Sequence, residues 1–421
     1  MNNPTMQRYT GFFDINNYSI PGEIVKNPSS GIIKLTLTQT LQSQEEVFAA
    51  ADQNYHRLLS ISGKLHTGEA ITLFNCRCVA NTLTALAKTI VFVADYMIWD
   101  NIFHIEDGYR VFECIIENGV WWSELSKIST PDSRTISIDA RPNVKCFNWS
   151  EARIEFSTII TSNDFASYHH SEMGVLSERL KISIKPKTKK NVSYFLRVRN
   201  EILAMISFAI KDNINILQQY FYNYAEYPKL EEVPKLRNYI QYKIVINEKT
   251  YGIKGELPEE YNFKLSSLPS GKDFDNDLQK LQPIFHLYQS FFKYPDMPYE
   301  MLFLNMTQAL ETFHARFYVP VYSEVDYTLR ERITELLLGK ADNIFSPLCD
   351  ADPDFIQKII ITRNYYTHYG QVKRKYLFSG NELFDAIQIL KQVLEYHICK
   401  VLQVDLSETV LQKILDFMEV K

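Results

Sequence analysis

Arg363, Asn364 and His368 stand at a spacing that suits phosphate chemistry. They fall in the run Ile361-Thr362-Arg363-Asn364-Tyr365-Tyr366-Thr367-His368-Tyr369-Gly370. Arginine keeps its charge at any physiological pH and can fork onto two phosphate oxygens. Histidine gives or takes a proton near neutrality. Asn364 and His368 are four residues apart and share a helix face. Arg363 lies about 140° round an ideal helix from His368, a gap its long side chain can close. Lys373-Arg374-Lys375 follows at once and can hold further phosphates. Tyr365, Tyr366 and Tyr369 offer rings on which bases can stack. The set suits a polyphosphate or an RNA backbone. The plain alternative is a helix end with a cation near its negative terminus.

The elements that must position these residues are helical. Asp352-Pro353-Asp354-Phe355 reads as a helix start, with a capping Asp, a Pro in the first turn and an acid near the positive end. That helix carries Phe355, Ile356, Ile359 and Ile360 inward and should end near Gly370. Other stripes have the same period: Leu278, Leu281, Ile284, Phe285 and Tyr288; Leu302, Met306, Ala309, Leu310 and Phe313; Leu329, Ile333, Leu336 and Leu337; Leu383, Ile387, Leu390, Val393 and Leu394. A short helix is expected after Leu406. Five or six helices from about residue 273 onward make a bundle.

The first half reads as mostly β. Gly31-Ile32-Ile33-Lys34-Leu35-Thr36-Leu37, Arg153-Ile154-Glu155-Phe156 and Lys181-Ile182-Ser183-Ile184 alternate apolar and polar residues. Ile71-Thr72-Leu73-Phe74, Ile90-Val91-Phe92-Val93 and Tyr242-Lys243-Ile244-Val245-Ile246 are further β-rich runs. Tyr18-Ser19-Ile20-Pro21-Gly22-Glu23-Ile24-Val25 reads as a strand interrupted by a turn. Many short strands suggest a sandwich or curved sheet. One helix, over residues 193–212, interrupts them. Leu257-Pro258-Glu259-Glu260 and Ser266-Ser267-Leu268-Pro269-Ser270-Gly271 read as loops, and the second marks a boundary. The expected class is therefore α+β, with a β-rich domain over 1–270 and an all-α bundle over 273–421.

Composition narrows the field. The 421 residues carry a net charge of −5, which excludes a globally basic nucleic-acid coat but not a local basic site. Aromatic residues reach 13% and glycines number only 14, which excludes collagen and Gly-rich repeats. The six cysteines form no CxxC pair, so a zinc cage and a secreted disulfide scaffold are not expected. The start lacks the basic and apolar regions of a signal peptide. The most apolar stretch, residues 83–99, contains Lys88 and Asp95 and falls short of a membrane span. A cytoplasmic, reduced protein without membrane attachment is expected.

Secondary candidates each have a structural alternative. The run 179–199 holds eight Lys and Arg residues without an acid; it can steer RNA or be a solvated connection. His169-His170 and Cys76-Arg77-Cys78 lack a second ligand pair, so no metal is assigned. Trp121-Trp122 can line a groove or a buried sheet edge. No Walker loop or paired-carboxylate motif appears, which ranks a phosphoryl transferase last.

Arg363-Asn364-xxx-His368 inside a C-terminal helical bundle resembles the RNxxxH motif of the HEPN ribonucleases. The opening of the chain resembles the ApeA family through Tyr9-Thr10-Gly11-Phe12-Phe13, Ile20-Pro21-Gly22-Glu23-Ile24 and Gly31-Ile32-Ile33-Lys34-Leu35-Thr36-Leu37. Phe12-Phe13 stands where that family often carries Trp. The helix around Arg197-Val198-Arg199-Asn200-Glu201-Ile202-Leu203, followed by more strands, fits the same domain. The resemblance implies an N-terminal ApeA domain that senses or restrains, joined to a HEPN endoribonuclease active in bacterial anti-phage abortive infection. It implies cleavage without a metal or cofactor, on an RNA such as tRNA, by a homo-oligomer joined through the bundle and released by a phage trigger. It also implies a polar or acidic residue presented from an early helix, for which Glu311 is the candidate; a solvated Glu311–Arg316 or Glu311–His314 contact is the alternative. Arg363, His368, Asn364 and Glu311 are thus the expected catalytic set. Lys373, Arg374, Lys375, Tyr365 and Tyr366 are the expected RNA contacts. The competing class is a non-catalytic ligand-binding protein with a helical dimerisation domain.

Overall fold

The computed structural model describes residues 6–15, 18–27, 30–40, 57–84, 87–99, 108–132, 135–139, 143–162, 176–224, 239–246, 261–320, 326–341, 344–371 and 373–404. His169-His170, the 257–260 loop and the helix expected after Leu406 lie outside these residues.

Six antiparallel strands close on themselves. They are β1 (Gln7–Ile15), β2 (Tyr18–Lys26), β3 (Ile33–Thr40), β4 (Arg57–Leu65), β5 (Ala70–Leu83) and β6 (Ala87–Ala94), in the cyclic order β1-β2-β3-β6-β5-β4. Alternation makes this possible: Ile33, Leu35 and Leu37 of β3 point inward while Lys34 faces out. The interior fills with Phe13, Ile24, Leu35, Ile71, Leu73 and Phe92. Closure removes the exposed edges of a sheet.

The run Tyr18–Val25 is one continuous strand, not a strand broken by a turn. Pro21 pairs with Phe12 of β1, and pairing with β3 begins only at Gly22, so its missing N–H leaves the second ladder intact. The two glycines are there for close approach. A Cβ at Gly22 would lie 2.8 Å from the Thr36 carbonyl oxygen, and one at Gly11 would lie 2.4 Å from that of Lys64.

β6 bends at Asp95 into β7 (Tyr96–Trp99), and both pair with the long β5. From β7 a sheet runs out through β15, β14, β8, β13, β12 and β11. In chain order these are β8 (Val111–Ile116), β11 (Val144–Trp149), β12 (Ala152–Ser162), β13 (Leu176–Pro186), β14 (Ile216–Tyr224) and β15 (Tyr239–Ile246), with a separate hairpin of β9 (Ile128–Asp132) and β10 (Thr135–Ile138). Trp121-Trp122 sits in a one-turn helix, α1 (Val120–Ser123), not at a sheet edge; Trp122 is fully buried and Trp121 is exposed. The fold class is the one expected, with the β half built as a barrel plus an open sheet.

Helix α2 (Val192–Ile210) lies on the open sheet. Phe195 meets Phe112 and Phe221, and Phe208 at its far end meets Phe285 and Tyr288 of the next helix. That helix is α3 (Asp275–Tyr288), followed by α4 (Ser290–Lys293), α5 (Tyr299–Phe317), α6 (Leu329–Thr334), α7 (Ser346–Ala351), α8 (Phe355–His368) and α9 (Asn381–Leu402). A single apolar core runs from the open sheet through α2 into the bundle. The entry to α3 is pinned to the sheet half: Asp273, in the loop before it, accepts the Ser150 N–H at 2.9 Å, and Asp275, its first residue, pairs with Arg197 at 2.9 Å.

Much of the basic run 179–199 is neutralised in place. Lys181 pairs with Glu113, Lys185 and Lys190 with Glu155 and Glu151, and Arg197 with Glu201 and Asp275. The Lys181 and Lys185 pairs cross neighbouring strands and support the sheet, and all of these pairs leave less charge for an RNA. Burial, with Asp95 adding to it, pushes the Cys76 thiol up to about 12, so it stays protonated at neutral pH. No helix among the described residues is long and apolar enough to cross a membrane.

Candidate active site

Helix α8 buries Phe355, Ile359 and Thr362, positions i, i+4 and i+7 on one face. Thr362 accepts the Phe378 N–H at 3.0 Å, tying the helix to the segment that follows it. The residues left on the outer side include Asn364, Thr367 and His368, which are exposed, and Arg363, which is one-third exposed. The helix ends at His368, two residues before Gly370. Tyr369 takes the left-handed conformation at φ 50° and donates its N–H to the Tyr365 carbonyl at 2.6 Å.

The start differs from the expectation. Asp354, not Asp352, is the cap residue, and its side chain makes no capping bond. Asp352 instead accepts the Asp354 N–H at 3.2 Å and pairs with Lys358 at 2.7 Å. Pro353 therefore precedes the helix rather than occupying its first turn.

Glu311 on α5 meets Arg363. Its Oε1 lies 3.5 Å from Arg363 Nη2, and Arg363 Nη1 donates to Asn364 Oδ1 at 3.3 Å. The alternatives for Glu311 are not what forms: Arg316 donates to the Lys280 carbonyl at 3.1 Å, and His314 pairs with Glu335 at 2.9 Å. Asn364 thus touches Arg363 rather than His368. A cavity of about 640 Å³ opens beside this pair, between α5, α6 and α8. Arg316, Arg332, Arg363 and Glu311 supply its charge, and Tyr327 and Thr367 also line it. His368 lies at the outer end of α8 and is not among the lining residues.

The tyrosines divide. Tyr366 packs against the core, and burial, then the charge of Glu300, raises its pKa. Its ring is thus partly covered by the core. Tyr365 contacts Tyr369, which is 72% exposed and presents the most open ring. Lys373 and Lys375 are exposed, and Lys375 Nζ lies 4.4 Å from the Tyr376 ring centre. Arg374 opens the short turn Arg374–Tyr376, and its side chain lies outside the described residues.

Sequence reasoning missed Arg316 and Arg332 as lining residues of the cavity beside the motif. One signal for Arg332 was readable. Thr328 and Glu331 form a reciprocal capping box, which sets where α6 begins. Arg332 then donates to the carbonyls of Tyr327, at 3.1 Å, and Glu311, at 3.5 Å.

The chain thus joins a β-barrel and an open sheet to a helical bundle that carries Arg363 and His368 on one helix. The ApeA N-terminal domain 1 model matches residues 8–280, and the Apea-like HEPN model matches residues 304–408. The first alone spans well over half of the chain, and the chain belongs to the ApeA family, with a HEPN domain at its C-terminal side. At the family level this is a HEPN nuclease-type protein with an anti-phage role. A search of curated proteins found no match, and neither did a search of solved structures.

Proposed function

We propose that this protein is a metal-independent endoribonuclease acting in anti-phage abortive infection. The observation that carries the reading is Arg363 held by Glu311 at the rim of an arginine-lined cavity, with His368 on the same helix. The ribose 2′-OH attacks the adjacent phosphorus, and the 5′-oxygen leaves. His368 takes the proton from the 2′-OH or gives one to the leaving oxygen. Arg363 stabilises the charge that grows on the phosphoryl oxygens. Glu311 and Asn364 position Arg363. The products are a 2′,3′-cyclic phosphate and a 5′-OH end, and the need for a 2′-OH selects RNA over DNA. Lys373, Arg374, Lys375, Tyr365 and Tyr369 extend the contact along the strand. Residues 273–421 form the cutting domain, and residues 1–270 sense a phage component or restrain the nuclease. Sequencing of RNA 5′-OH ends after induction, with and without phage, tests the reading; an unchanged set of ends in a catalytically intact, phage-challenged culture would refute it.

A second copy completes the site in this reading. Arg363 lines the cavity and His368, on the same helix, does not, and a two-fold related bundle would bring a second motif to the same strand. The bundle exposes a candidate face: Tyr299 and Phe384 are 50% and 42% exposed, and their rings lie 5.5 Å apart. Aromatic residues on a surface are suited to a self-complementary contact. Light scattering is expected to give at least two chains per particle, and Phe384→Glu to shift the mass toward one. A fully active preparation that is strictly monomeric would defeat this.

Glu311→Gln keeps an acceptor but removes the charge facing Arg363. Loss of positioning is expected to lower cleavage by up to about a hundredfold. The melting temperature should barely move, because a partly exposed pair contributes only about 0–1 kcal/mol. Equal losses of activity and folded fraction would assign Glu311 a purely structural part.

A further inference from the structure

A second cavity, of about 330 Å³, lies far from the motif in chemistry and in chain position. It opens where the barrel, the open sheet and the bundle meet. Lys26 at the end of β2, Lys243 on β15, and His286 and Lys293 from α3 and α4 line it, together with Gln219 and Gln289. None of the described residues lining it carries a carboxylate.

The buried amides sharpen this bias. Gln219 and Gln289 are 6% and 5% exposed. The carbonyl oxygen of Gln219 accepts from Arg199 at 2.6 Å, and that of Gln289 accepts from Lys293 at 2.5 Å. An amide whose oxygen already accepts from a cation keeps its two N–H donors for another partner. Two buried side chains therefore add N–H donors to a cavity already lined by three ammonium groups. Desolvation and the nearby Lys293 hold the His286 pKa below its ordinary value, so at neutral pH it can enter as a neutral donor. Such a donor-rich, partly enclosed site favours anions, and charge-assisted hydrogen bonds to phosphate are the strong ones. The volume lies within the range of small-molecule sites, about 300–1,000 Å³.

We propose that this cavity binds a small phosphorylated ligand of nucleotide size, bridging the β-rich half and the bundle. The proposal does not rest on the nuclease reading. Isothermal titration of the full chain with ATP, pyrophosphate and adenosine tests it. ATP and pyrophosphate should each bind once per chain, and adenosine should not bind. Lys243→Gln with Lys293→Gln should weaken both by at least about tenfold, since each removes a charge-assisted contact. Lys243→Gln alone, at an exposed position, serves should the double variant fold poorly, and should still weaken pyrophosphate. Arg363→Ala should bind pyrophosphate like the wild type, separating this cavity from the arginine-lined one. The proposal is overturned by absence of binding, by adenosine binding as well as ATP, by lysine variants of unchanged affinity, or by loss of binding in Arg363→Ala.

Discussion

His368→Ala should lower RNA cleavage by about 10²–10⁴, the usual cost of losing a positioned acid or base. Arg363→Ala should cost about 10²–10³, the usual loss for a group that stabilises charge at the reacting centre. Either change should abolish phage defence while the protein stays folded. His368 is exposed at a helix end and Arg363 is one-third exposed, so neither supports the core. Arg363→Lys should fail as well, because an ammonium cannot fork onto two phosphate oxygens. Asn364→Ala should be milder, since Asn364 touches Arg363 through one 3.3 Å bond. A chelator should leave the rate unchanged. Were the motif only a helix end, loss of its terminal charge would cost about 0.3–1 kcal/mol of stability and nothing else. The decisive measurement is cleavage of total RNA by each purified variant beside its melting temperature. A His368→Ala protein that still makes 2′,3′-cyclic phosphate ends at the wild-type rate would sink the proposed chemistry.

What was legible in the sequence was local. The alternation in β3, β12 and β13, the stripes of α3, α5, α8 and α9, and the motif on α8 all follow from a repeat of two or 3.6 residues within one element. What was hidden depends on residues far apart in the chain. Closure of the barrel needs β5 to pair with β6 as well as with β4, and no single strand records that pairing. Glu311 reaches Arg363 only because α5 crosses α8. Arg332 joins the same cavity from a third helix. The stripe at Leu329, Ile333, Leu336 and Leu337 reads as one α-helix, yet residues Glu335–Gly339 widen into a π-turn. That turn places Glu335 against the buried His314, a contact no local pattern announces. The boundary near residue 270 is equally local as a signal: a loop stands there, but the apolar core passes on either side of it.

Glu395→Ala should destabilise the whole protein by about 3–5 kcal/mol, because it breaks a buried charge network from one side. Glu395 on α9 is 1% exposed. It accepts from the Tyr288 hydroxyl of α3 and faces Lys391 at 3.7 Å and Lys211 at 3.5 Å. Lys211 caps the C-terminus of α2, so this carboxylate links the helix of the sheet half to two helices of the bundle. Burial alone would raise the Glu395 pKa, but Lys391, Lys211 and the Tyr288 hydroxyl outweigh it and hold the pKa below its ordinary 4.5. The sign follows from linkage. A carboxyl with a depressed folded pKa contributes stability that is present above pH 4.5 and lost as pH falls through the folded value. The wild type should therefore lose stability on acidification below about pH 4.5, and Glu395→Ala should lose less over the same interval. Lys211→Met removes one cation and should also destabilise, whereas Arg8→Ala, breaking an exposed pair with Glu23 at 3.1 Å, should cost at most about 1 kcal/mol. Denaturant unfolding followed separately by far-ultraviolet circular dichroism at pH 7 and pH 4 resolves these cases. Because the network joins both halves, its loss should lower the transitions of sheet and bundle together. A Glu395→Ala protein in which the bundle melts early while the sheet keeps its wild-type midpoint would show that the two halves fold as separate units.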